Sequence, residues 1–168
     1  MLEHFEVLLR TFPFSPLSPG ISALKVYAIE LIEPPLVEHY FAEPAQAGAA
    51  IEMARAFQNS DCLYQINGGW DLWQFEAGWK LAPSPVSLLC FGPLFQNEVG
   101  DHLRVELGVD WHFLPQPGIR RSATMIQSNI RGLLRLVHEC DVSLAVEKRM
   151  LWSESGENFA DRLQAALS

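Results

Sequence analysis

Cysteine is scarce in this chain and badly spaced for chemistry. Only Cys62, Cys90 and Cys140 occur, far apart, odd in number and with no C-x-x-C. That pattern excludes a disulfide framework. Each lies in an apolar or strand-like stretch, so buried free thiols in a reducing cytoplasm are expected. A nucleophilic cysteine would need a base beside it in space.

Long hydrophobic runs are missing too. The longest, Val86–Phe95, is broken by Gly92 and Pro93 and falls far short of the roughly 20 residues that cross a bilayer. The first residues, MLEHFEVLL, carry acids where a signal peptide carries bases, and no N-x-S/T sequon occurs. A soluble cytoplasmic protein without a membrane partner is the expectation. Positive charge is short as well. Twelve Lys and Arg face 20 Asp and Glu, for a net charge of -8. An acidic surface repels phosphate backbones, which makes nucleic acid and anionic membranes poor partners.

The strong functional signatures are absent. There is no phosphate-loop G-x-x-x-x-G-K-[ST], no dinucleotide G-x-G-x-x-G, no zinc H-E-x-x-H and no G-x-S-x-G elbow. No stretch carries a motif that identifies a family, and no cofactor is implied.

What is present begins with a core. At 168 residues and 49% hydrophobic composition, the chain suits one domain that hides about two-thirds of its unfolded surface. The densest group of reactive side chains is Asp101–Phe113, DHLRVELGVDWHF. Leu103, Val105, Leu107, Val109, Trp111 and Phe113 alternate with His102, Arg104, Glu106, Gly108, Asp110 and His112. Strict alternation predicts one long strand with a buried and a wet face. Same-face neighbours on a strand lie about 7 Å apart, so Asp110 and His112 are the weak candidates for holding a metal ion, with Glu106 as a third group. Ordinary solvated cross-strand pairs, such as Arg104 with a carboxylate, are the plainer reading.

Elsewhere, His4–Phe12 is read as a strand from Phe5, Val7 and Leu9. Pro13–Gly20 is a proline-rich loop. Ile21–Glu33 is a long central strand, and Leu36–Phe41 an edge segment after Pro34–Pro35. Pro44–Phe57 is a helix with the stripe Ala47, Ala50, Ile51, Ala54 and Phe57. Cys62–Ile66 and Trp70–Phe75 are read as strands joined by a tight turn at Asn67-Gly68-Gly69. A second turn at Glu76-Ala77-Gly78 leads to a short strand at Trp79–Leu81, and Val86–Phe95 is an apolar strand. A long helix follows from Ser122 or Thr124 to Glu139, with Ile126, Ile130, Leu133, Leu134 and Val137 inside and Arg131 and Arg135 outside. Val142–Trp152 is read as a strand, and Ser155 as the cap of a last helix, Glu157–Leu167.

The expected fold class is α+β, an antiparallel sheet with two long helices on one face and a C-terminal helix. Strand, strand, helix, strand recurs at an offset near 80 residues, which suggests a duplicated β-β-α-β unit in halves of about 4–80 and 84–152.

Other candidate residues are scattered. Trp70, Trp73, Phe75 and Trp79 cluster, and Trp70, Trp73 and Trp79 are candidates for a ligand pocket or interface, against simple core packing. His4 and Glu6, and Glu38 and His39, could join the same surface. His138 near a helix end suits a structural role, and Arg120, Arg121, Arg131 and Arg135 are read first as solvated surface charge.

The function expected is a binding or protein-interaction module, using the wet face of His102, Arg104, Glu106, Asp110 and His112 or the tryptophan hairpins. The partner would be a protein or a small molecule, and a homodimer through free sheet edges is a further expectation. The alternative is a small metal- or acid–base-dependent hydrolase using Glu106, Asp110 and His112.

Overall fold

The computed structural model describes residues 1–17, 20–29, 31, 33–153 and 159–168. They form helices α1 (Leu2–Thr11), α2 (Ala47–Arg55), α3 (Ser122–Ser143) and α4 (Phe159–Leu167). The strands are β1 (Ile21–Ala28), β2 (Val37–Ala45), β3 (Cys62–Phe75), β4 (Trp79–Phe91) and β5 (Leu103–Glu106). The five strands make one antiparallel sheet in the order β2-β1-β3-β4-β5. The fold is thus α+β, with a C-terminal helix, as expected.

All four helices bury their apolar stripes in one cluster. Phe5 and Leu9 of α1, Ile51 of α2, Ile130 of α3 and Phe159 of α4 meet Leu24, Tyr64, Ile66 and Leu88 of the strands. Side chains alternate along a strand, so the neighbours of these strand residues point the other way, to a sheet face that carries no helix among the described residues. There, near one end, Leu63, Leu89 and Phe91 form a smaller cluster capped by Phe95 from the β4–β5 connection.

Several local expectations are corrected. His4–Phe12 is not a strand. Leu2, Phe5, Leu8 and Leu9 are buried along one side of α1, whose last turn ends before Pro13, where the helical conformation is disfavoured. Asn67-Gly68-Gly69 is not a turn. It lies inside β3, which runs unbroken for 14 residues, and none of the three has positive φ. Gly68 is needed for space instead: a Cβ there would stand 2.6 Å from the Gly20 carbonyl oxygen and 2.7 Å from the Phe14 ring. The hairpin turn is at Glu76–Gly78, pairing Phe75 with Trp79. β4 runs through Pro83 and Pro85 because β5 pairs only with Ser87–Cys90, so that stretch lacks a second neighbour and loses no ladder bond to proline.

Asp101–Phe113 is not one strand either. β5 stops at Glu106, Gly108 adopts φ +79° and Asp110–Phe113 is a single 3-10 turn. Val142–Trp152 forms no strand, since α3 continues to Ser143 and Val142 is exposed. Leu134, expected inside α3, is half exposed, and Asn129 takes a buried place on that helix. The first expected β-β-α-β unit opens on His4–Phe12, which is α1, so the chain there runs α1–β1–β2–α2–β3; the second runs β4–β5–α3 with no closing strand in 144–153. The helix of the first unit is short, nine residues against 22 in α3. Ser155 lies outside the described residues.

Candidate functional site

The helix-free sheet face is organised as rows of cross-strand neighbours. Register places Glu38, Lys25, Gln65, Leu89 and Arg104 in one row, and Tyr40, Ala23, Asn67, Ser87 and Glu106 in the next. At about 4.8 Å between strands, each row spans roughly 19 Å. Polar side chains fill the middle because their strand neighbours on the other side already supply the core.

The centre of this face is a closed hydrogen-bond set. Gln65 Nε2 donates to Asn67 Oδ1 at 2.8 Å and Ser87 Oγ donates to the same oxygen at 3.0 Å. Gln65 Nε2 also reaches Ser87 Oγ at 3.4 Å. On the β2 side, Lys25 Nζ pairs with Glu38 at 2.7 Å, and the Tyr40 hydroxyl donates to Glu38. The hydrogen bonds from Lys25 and then Tyr40 hold the Glu38 carboxyl below its ordinary range, and the Glu38 bond raises both Lys25 and Tyr40.

On the β5 side, Arg104 forks onto Asp101, with Nε to Oδ2 at 2.8 Å and Nη2 to Oδ1 at 2.9 Å. Asn97 Nδ2 adds a bond to Asp101 Oδ1 at 2.9 Å. Burial pushes the Asp101 carboxyl up, but the Arg104 and Asn97 bonds outweigh it and hold it below its usual value. The Arg104 guanidinium lies 4.7 Å from the centre of the Phe91 ring and 3.9 Å from Glu106. It is therefore fixed in place while its outer surface still meets solvent.

The expected site residues fall in three places. Arg104 and Glu106 lie on the open sheet face. His102 is exposed just before β5, and its carbonyl accepts the Phe91 N–H at 2.9 Å. Asp110 and His112 belong to the 3-10 turn and do not converge with Glu106. The Asp110 carboxylate accepts from the Ser153 hydroxyl, and His112 Nδ1 lies 3.4 Å from Ser84 Oγ. Burial lowers the His112 pKa, which favours the neutral ring. Among the described residues no three His, Cys, Asp or Glu side chains gather as a metal site.

The tryptophans separate as well. Trp70 is core, edge-on to Phe12 at 5.8 Å. Trp73 and Trp79 are half-buried, and the Trp79 indole donates to the Arg120 carbonyl at 2.8 Å. Sequence reasoning missed Lys25, Tyr40, Gln65, Asn67 and Ser87. The alternation of Gln65 and Asn67 with Tyr64 and Ile66 was the available signal, hidden by reading Asn67 as a turn.

The three thiols are free, with Cys62 and Cys90 buried. Burial pushes the Cys90 thiol up to about 12, so it has no nucleophilic role at neutral pH. An open cleft of about 600 Å³ lies along the β2 edge by the start of α2, lined by Arg10, His39, Tyr40, Phe41, Gln46 and Gly48. Among the described residues no helix is long and apolar enough to cross a membrane. Comparison with family models, with curated proteins and with solved structures found no match to this chain.

Proposed function

We propose that the protein is a non-catalytic interaction module that binds a partner protein through its helix-free sheet face. One observation carries this reading. Every helix contributes to the core on one side of the sheet, while the other side presents a polar platform with fixed charges at both edges. Such a face suits recognition, since its side chains are already ordered and bind at little further entropic cost. Complementary charges at its edges would set register and exclude wrong partners. Free thiols at Cys62, Cys90 and Cys140 fit a reducing compartment, and the cytoplasm is the proposed location.

The acid–base alternative has one contact in its favour, that of His112 with Ser84. Ser84 is only 2% exposed, and neither Glu106 nor Asp110 orients the imidazole, so the pair lacks both access and a third group.

The test is capture from native lysate with wild type, a Tyr40→Ala/Glu106→Ala variant, and a Glu52→Ala/Lys80→Ala control, all melting cooperatively. A protein retained by wild type and control but lost by the sheet-face variant supports the reading. Retention by all three sinks it.

A further inference from the structure

The distribution of positive charge is uneven in a way the sheet face does not explain. Of the 12 Lys and Arg, Arg10, Lys25, Arg55, Lys80, Arg104 and Arg149 form ion pairs. Arg162 is engaged as well. The rest are Arg120, Arg121, Arg131, Arg135 and Lys148, and none makes an ion pair among the described residues. Four of these five arginine and lysine side chains belong to α3 or its entry. Between Trp111 and His138 the chain holds four arginines and no carboxylate, although the whole molecule carries a net charge of -8.

Helical geometry gathers this charge. At 100° per residue, Thr124, Ser128, Arg131, Arg135, His138 and Val142 share one face of α3. All six are exposed. Leu134 borders the stripe at 50% exposure, and Val142 ends it at 74%. Of the acids of α3, Glu139 flanks the stripe one turn after Arg135 without an ion pair to it among the described residues, and Asp141 lies off the stripe, tied to Arg149. Arg131 and Arg135 are an i,i+4 like-charge pair without a carboxylate between them, which disfavours the isolated helix. Arg120 and Arg121 add positive charge at the helix start, where the backbone dipole opposes it. Among the described residues no ion pair offsets these arrangements.

We propose that the exposed face of α3 is a second docking surface, for an acidic amphipathic segment of another protein. The occupant follows from charge and shape together. Arg131, Arg135 and His138 call for carboxylates at matching helical spacing, and arginine binds them in bidentate fashion. Leu134, between Arg131 and Arg135 in the chain, and Val142, at the end of the stripe, call for apolar side chains beside those carboxylates. A phosphate backbone supplies the charge without the apolar groups and is repelled by the rest of the acidic surface.

The experiment uses the full chain and three probes: a labelled helical peptide with Glu at i and i+4 and Leu between, its Glu→Gln counterpart, and a DNA duplex. The Glu peptide should bind wild type in a salt-sensitive manner, and Arg131→Glu/Arg135→Glu should weaken it by roughly tenfold or more. Lys80→Glu, a charge reversal away from α3, should leave it unchanged. The Gln peptide should bind weakly. No binding of the Glu peptide, equal binding by the double reversal, or DNA binding as tight as the peptide each overturns the proposal. Salt-sensitive self-association abolished by the same reversal also overturns it, by giving the surface to a second copy. Loss of the sheet-face partner leaves this result unaffected, so the two readings fail separately.

Discussion

The side-chain amide of Asn129 exchanges two hydrogen bonds with the backbone of Trp73. Asn129 Oδ1 accepts the Trp73 N–H at 2.8 Å, and Asn129 Nδ2 donates to the Trp73 carbonyl at 3.0 Å. β1 pairs with β3 only as far as Gly68, so the upper half of β3 has an open edge there. A single amide from α3 takes the place of the missing strand. The same Nδ2 donates to the His112 carbonyl at 2.7 Å, which fastens the 3-10 turn to the hairpin. Asn129→Ala should therefore cost about 3 kcal/mol, since it leaves buried backbone groups unpaired. Urea unfolding measures this, and a loss below about 1 kcal/mol would show that water replaces the amide.

Gly68 and Gly78 form a contrasting pair. Gly68→Ala should destabilise by about 1–3 kcal/mol, because the added methyl meets Gly20 backbone and the Phe14 ring. Nothing lies within 4 Å of a Cβ on Gly78, whose φ is not positive. Gly78→Ala should fall within about 0.5 kcal/mol of wild type. Thermal melts of the two variants read the difference directly.

These two glycines also show what the sequence made legible. Periodicity located α3 through Ile126, Ile130 and Leu133, and α4 through Phe159 and Leu163, because long apolar stripes at 3.6 spacing have no strand equivalent. It failed at His4–Phe12, where Phe5, Val7 and Leu9 fit period two while Leu2, Phe5, Leu9 and Phe12 fit a helix. Tertiary packing chose the second. Gly68 was read by its freedom to turn, when its use is the close approach of a neighbouring chain segment. In Asp101–Phe113 the break at Gly108 hid within an otherwise perfect alternation. Arg104 and Glu106 could be placed on a wet strand face from sequence. Lys25, Gln65 and Ser87 could not be joined to them, because that needs strand order.

Acid should act through Asp101 and His112 in separate windows. The Asp101 carboxyl is held below its ordinary value. The unfolded chain thus takes up its proton first as pH falls, and the stabilisation present above the unfolded value is lost as pH drops through the folded one. His112 is also lowered, by burial, so near pH 6 and below the unfolded state gains the proton that the folded ring resists, and stability falls. Denaturant unfolding across pH should show wild type losing more stability than His112→Gln on going from neutral to mildly acidic conditions. It should lose more than Asp101→Asn only at lower pH. Parallel curves would contradict these assignments.

Thiol reactivity should rank by burial. Cys62 and Cys90 are buried and Cys140 is partly exposed, and burial raises the pKa of all three. In the native protein a disulfide reagent should modify Cys140 first and Cys90 last, with all three reacting together in urea. Native-state labelling of Cys90 ahead of Cys140 would contradict the packing of β4 against α1.

The most direct test of the sheet-face reading is hydroxyl-radical footprinting of the protein with its captured partner bound. Tyr40, 66% exposed on the helix-free face, and Trp152, 67% exposed in the segment between α3 and α4, serve as matched reporters. Oxidation of Tyr40 should fall in the complex while Trp152 is unchanged. Unchanged Tyr40 with protected Trp152 would place the partner elsewhere and contradict the proposed function.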